Sequence, residues 1–211
     1  MKRILAEPIV ESIQLKLREQ IERTEHLIRL LPPDKIGWDP QLIQGSTDVG
    51  HLLGHLLDCM AGFCAVFHAA FPHRLGHFLE LRTLPVNHFC RPEEALIRIR
   101  QYAANIEQGF DLCTDDYLAR VVPSLFVPDG EPLATLLLGN LEHLINHKYQ
   151  LFLYLKLLGV SLTSSDIYQW RGPRTSTDRE SSPLPHIQIS HDPHILEADA
   201  REQFSWRTPS P

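Results

Sequence analysis

A chain of 211 residues can hold one domain with a real core, and its apolar (43%) and charged (22%) fractions are those of a soluble globular protein. The net charge is −6 with neutral histidines and no basic patch dominates, which argues against a nucleic-acid partner. "MKRILAEPIVESIQ" lacks the apolar run of a signal peptide, and no stretch reaches the roughly 18 apolar residues of a membrane span, so no membrane association is expected.

The first predicted helix runs from about Glu7 to Leu31, with Val10, Ile13, Leu17, Thr24, Ile28 and Leu31 on one stripe. The prolines of "LPP" stop it. A loop containing "GWDP" leads to the second helix, which starts near Ser46 or Thr47, either of which can cap it. That helix runs through "DVGHLLGHLLDCMAGFCAVFHAA" and ends before Pro72. A connection of about 20 residues follows, long for a compact domain and a place for a short helix or for function. The third helix opens at "RPEEAL", with Pro92 in its first turn and Ala95, Ile99, Tyr102, Ile106 and Phe110 on its core side. After the turn-rich "VVPSLFVPDGEP" the fourth helix runs from Pro132 to Leu158, with Gly159 as its C-cap. Leu138, Ile145 and Phe152 recur along it away from the inner side, so it needs a second partner surface, and a homodimer is expected.

From residue 171 to 211 the helical period is lost while six of the 16 prolines gather there, so this stretch is expected to be an irregular or disordered tail. The expected division is a bundle over 1–170 and a tail over 171–211. Four amphipathic helices without strand alternation imply an all-α, four-helix bundle with a long connection between helices two and three. Cys59, Cys64, Cys90 and Cys113 form no CxxC and no dense framework, which reads as reduced thiols in a cytoplasmic protein, with Cys59 and Cys64 filling the core.

Histidine is the outlier of the composition, at 12 residues, and four of them form two i, i+4 pairs. His143 and His147 lie about 40° apart on the fourth helix, one turn above the other, in the half that carries Asn140, Leu144, Leu151 and Tyr154. They are expected to point toward the core, where an imidazole needs a hydrogen-bond partner or a metal. His51 and His55 repeat the spacing on the second helix. His55 shares its stripe with Leu52, Cys59 and Val66, and Gly62 would leave room beside its ring. Asp58 could accept from the ring N–H of His55 or face water. Three neutral imidazoles from two facing helices suit Zn, Ni or Fe, with one position open to water or substrate. The alternative is a metal-free bundle with hydrogen-bonded core histidines. There is no HExxH of a zincin and no ExxH pair of a di-iron carboxylate bundle.

The "GWDP" turn followed by "LLGHLLD", and the pair in "HLINHKYQLFLYLKLLGV" followed by "SDIY", resemble the DinB-like superfamily, also called YfiT-like, over residues 1–170. The resemblance implies His55, His143 and His147 as a ligand triad for a divalent metal ion. It leaves His51 as an additional ligand, a base or a surface residue. It also implies a bacterial, metal-dependent enzyme acting on a small-molecule substrate. Relatives include transferases and isomerases that use bacillithiol, mycothiol or glutathione, so a thiol-dependent S-transferase or a hydrolase is expected. The other reading is a non-catalytic metal-binding or stress-associated bundle. The triad contains no strong general base, and His51, Asp58, His73, His77 and His88 are the candidates for one.

Overall fold

A computed structural model describes residues 8–41, 45–83, 88–123 and 127–168. The chain divides into two units, Met1–Arg171 and Gly172–Pro211, and the expected irregular tail lies outside the described residues.

Helix α1 spans Ile9–Arg29 and α2 spans Val49–Ala70. Helix α3 spans Pro92–Asp111, and the short α4 spans Asp115–Leu118. Strands β1 (Val121–Val122) and β2 (Glu131–Pro132) pair antiparallel and lead into α5, Leu133–Leu157. Helix α6 is the single turn Ser165–Tyr168. The long helices α1, α2, α3 and α5 form the expected all-α bundle, with α2 packed on α3 and α5, and α1 packed on the same two helices. The long connection between α2 and α3 contains a 3-10 helix, Gly76–Thr83.

Local chemistry sets the helix ends. Asp48 caps α2 by accepting the backbone N–H of His51 at 2.8 Å, so the cap lies one residue beyond the expected Thr47 and two beyond Ser46. The Asp115 carboxylate accepts the N–H groups of Ile9 and Val10 at 3.1 and 2.9 Å, closing the start of α1 from the first turn of α4. Gly159 adopts φ 83°, with its N–H on Lys156 O and that of Val160 on Leu155 O, which ends α5 in a Schellman turn.

The apolar stripes of α1 and α3 are buried as their periods predict. Helix α2 is buried almost all round, with Leu53, Met60, Phe63 and Phe67 fully enclosed. Its composition alone would let it cross a membrane, yet 61% of its most apolar window is buried inside the bundle, as in a core helix.

Helix α5 carries two neighbouring stripes. Leu133, Leu137, Leu141, Leu144, Lys148, Leu151 and Leu155 face the core. Asn140, His143, His147, Gln150 and Tyr154 run alongside at alternating three- and four-residue spacing, against α2. Asn140 meets Gly62, His143 and His147 meet His55, and Tyr154 meets Thr47, so the two helices run antiparallel. On the α1 side Lys148 is only 2% exposed and donates to Gln20 Oε1 at 2.5 Å. The end of the described chain is tied to α1 by Arg23, which donates to the Tyr168 carbonyl, and by His26, whose Nε2 lies 2.9 Å from Asp166 Oδ1.

Candidate metal centre

The site forms where one turn of α2 faces two turns of α5. Gly50 and Gly54 shape the α2 side. A Cβ on Gly54 would lie 1.9 Å from the His88 carbonyl oxygen, so only glycine lets the end of the connection cross the helix here. The Cys90 N–H donates to Gly50 O at 3.0 Å, fixing that crossing. His51 stays under it: its ring packs edge-on to Phe89 at 5.5 Å, and its Nδ1 lies 2.8 Å from Asp48 Oδ2. One turn on, His55 turns to α5.

The Nε2 atom of His55 lies 3.2 Å from His143 Nε2 and 3.0 Å from His147 Nε2. Their rings meet edge to face, with centroids 4.2 to 5.1 Å apart. Three nitrogens on one tetrahedral ion at about 2.0–2.1 Å would stand about 3.3–3.4 Å from each other. The two His55 distances lie just inside that spacing, and all three ligand atoms lie within 4.8 Å of one another, so the donor set suits one shared ion. Ring nitrogens this close cannot all present lone pairs to one another; a shared proton or a cation must lie between them. Burial, then the nearby His147 and His55 rings, lower the His143 pKa from its ordinary value. Burial lowers that of His147 as well, with the Gln150 hydrogen bond opposing and His55 adding to the shift. Both rings are thus biased toward the neutral form that a metal requires.

The orientation differs from the expected inward one. His143 is exposed, while His55 and His147 are half-buried. His143 and His147 each precede a core residue, Leu144 and Lys148, by one position, and so sit about 100° off the core line. The group therefore opens to solvent at the rim of the α2–α5 seam. Gly62 leaves its space to the Asn140 amide and not to the His55 ring, since Asn140 Oδ1 would be 3.1 Å from an added Cβ. Asp58 Oδ2 is 3.9 Å from His55 Nδ1, an ion-pair distance beyond direct hydrogen bonding. Cys59, assigned to the core from its stripe, is buried and also belongs to the cluster: its Sγ and the three imidazole ligand atoms all lie within 4.8 Å of one another. Burial, with Asp58 adding, pushes its thiol up to about 12. His51 is not a member of the cluster. Gln150 and Tyr154, to which the sequence reading gave no role, form a chain behind His147; their i+3 and i+7 spacing from it was the available signal.

A DinB-like protein, YjoA from Bacillus subtilis, superposes with a TM-score of 0.55 at 17% identity, over 72% of this chain and 94% of that one. The chain has the DinB-like fold. A mycothiol-dependent maleylpyruvate isomerase also matches, with a TM-score of 0.51 at 15% identity, over 75% of this chain. The chain spans 64% of that protein's length, under two thirds. At these identities the likeness is one of fold. No protein-family model and no curated protein matches the sequence.

Within this DinB-like bundle the other expected bases lie elsewhere. His77 Nε2 is 3.1 Å from Gln108 Oε1, and His73 is exposed. His88 belongs to a second group with Cys90 and Glu94. There Arg98 Nη1 donates to His88 Nε2 at 2.7 Å and to Glu94 Oε1 at 3.2 Å. A fixed guanidinium charge already holds that position and opposes a second cation. The group pins the connection to α3.

Proposed function

We propose that the chain binds one divalent metal ion, Zn, Ni or Fe, through Nε2 of His55, His143 and His147, and acts as a metal-dependent enzyme on a small molecule. The observation that supports this reading is the convergence of three Nε2 atoms, at 3.0 and 3.2 Å from His55, on a rim open to solvent. When bound, such an ion lowers the pKa of a coordinated thiol or water and supplies a nucleophile near neutral pH. A neighbour in fold named as mycothiol-dependent supports a low-molecular-weight thiol as the partner, and thus an S-transferase ahead of a hydrolase. Four free, buried cysteines support a reducing, cytoplasmic setting. Of the expected outer stripe, Ile145 and Phe152 pack half-buried against the chain's own core, and Leu138 stays half exposed. Leu138, with the half-exposed Leu153 and Leu157 of the same helix, supports a homodimer that covers them, which light scattering at micromolar concentration tests.

Cys59 favours a second reading. A fourth ligand from beneath the three histidines would close the coordination shell and make a non-catalytic metal-binding bundle. Cobalt substitution separates the two. In an open site the sulfur-to-metal charge-transfer band appears only when a small thiol is added, and it is lost in His55→Ala. In a closed site the band is present from the start and disappears in Cys59→Ser. Metal analysis of untagged protein tests both, with His143→Ala and His147→Ala each expected to lower metal content at least tenfold while the far-UV helix signal survives. Full occupancy in the double variant excludes the site.

A further inference from the structure

Gln150 meets the nitrogen of His147 that faces away from the cluster, and Tyr154 meets Gln150. The chain of donors starts at a group with only one possible role. The Thr47 backbone carbonyl can only accept, and Tyr154 Oη lies 3.1 Å from it, so the phenol proton points there. The Tyr154 oxygen then has lone pairs alone to offer to the Gln150 amide, whose Nε2 is 3.1 Å away and donates. Gln150 Oε1 must therefore face His147 Nδ1, at 2.9 Å, and an amide oxygen can only accept. In the neutral ring, Nδ1 carries the proton and Nε2 carries the lone pair. Turning the amide over would set two oxygens together at Tyr154 with no proton between them, leaving one hydrogen bond unmade.

We propose that Gln150 and Tyr154 are positioning residues: a relay anchored on the Thr47 backbone that holds His147 in its Nδ1–H tautomer and presents Nε2 to the ion. This rests on the metal reading given above. The anchor is well placed. Thr47 immediately precedes the Asp48 cap of α2, so the relay ties the ring on α5 to the start of the helix that carries His55. Tyr154 is 4% exposed and packs edge-on against Trp38 at 5.5 Å, and the Trp38 carbonyl accepts the Val49 N–H at 3.0 Å. The tryptophan of "GWDP" thereby holds the phenol over its acceptor.

The test has a metal-free and a metal-bound readout. Long-range 1H–15N spectra of the metal-free protein at pH about 8, where histidines are neutral, should report His147 as the Nδ1–H tautomer. The Gln150→Leu variant should give a tautomer mixture. An Nε2–H tautomer in the unsubstituted protein overturns the relay, as does an unchanged tautomer in both Gln150→Leu and Tyr154→Phe. Zn(II) affinity should fall about tenfold or more in Gln150→Leu and Tyr154→Phe. It should be largely kept in Gln150→Glu, whose carboxylate still accepts from Nδ1–H and, as the stronger acceptor, takes the Tyr154 proton in place of the Thr47 carbonyl. Unchanged affinity in the first two variants, or an equal loss in Gln150→Glu, overturns the positioning role. If the unsubstituted protein binds no Zn(II), Ni(II) or Fe(II), the metal reading fails, and the tautomer spectra still decide whether the relay exists.

Discussion

The three imidazoles are held where a proton and the proposed ion would compete for the same lone pairs. His143 and His147 titrate below the ordinary 6.5, chiefly through burial. Below pH 6.5 the unfolded chain takes up protons that these folded rings refuse, so the metal-free protein should lose stability as pH falls from 6.5 through the lowered values. Above 6.5 both states are neutral at these sites and the contribution is flat. Urea midpoints across this range check it: the acid slope should shrink when both histidines become glutamine, and an unchanged slope would assign it to other groups. Lys148, next in sequence to His147, faces the other way. Burial, then Arg23, push its ammonium down to about 8, with Glu19 opposing. Gln20→Leu should cost about 1.5–3 kcal/mol by stranding this buried charge. Adding Lys148→Met should recover most of that, and a double variant as unstable as the single would exclude the ammonium as the cause. The i, i+4 histidines were legible in the sequence because that spacing is local. Lys148 and Cys59 were not. Lys148 reads as a polar interruption until α1 supplies Gln20, and Cys59 reads as core until α5 brings its histidines over it.

At the scale of the elements, hydrophobic period located the four long helices to within a few residues, and the buried faces of α1 and α3 follow it position by position. Periodicity was weaker on α5. There two stripes lie side by side, one apolar but interrupted by Lys148 and one polar from Asn140 to Tyr154, and a pattern of apolar positions alone merges them. That is why the histidines were expected inside rather than at the rim. The crossing of α2 by the connection has no local pattern either: Gly50 and Gly54 are explained only by a segment more than 30 residues later in the chain. Gly54→Ala should therefore cost about 1–3 kcal/mol, because the added methyl meets a backbone carbonyl and not a movable side chain. Gly139→Ala is the control: nothing lies within 4 Å of its added Cβ, and it should stabilise α5 by about 0.5–1 kcal/mol. Equal stability of the two variants in thermal melts would show that the crossing is loose.

For the molecule as a whole, the bundle follows from four apolar stripes with one central helix, which is the part of folding that composition and period determine best. The antiparallel apposition of α2 and α5 does not follow from the stripes alone. It is set by pairwise fits along the seam: the Asn140 amide in the Gly62 gap, three imidazoles together, and a phenol on the Thr47 carbonyl. A bound ion would add to this seam only in the folded state. Each tenfold rise in free metal above the dissociation constant should then add about 1.4 kcal/mol to the unfolding free energy. For a domain of this size that is about 3–6 °C in Tm per decade of metal. A melting temperature that ignores metal concentration would count against binding to the native seam.

His55 stands 88 residues from His143 and 92 from His147 along the chain. An ion shared by all three would close a loop containing the whole of α3 and both of its connections, much as a disulfide would, but reversibly and without oxidant. In the reducing setting proposed above, such an ion could persist where a disulfide would not. The same three side chains proposed for chemistry would thus act as a removable staple, and the lifetime of the folded chain against proteolysis would track the metal available to it.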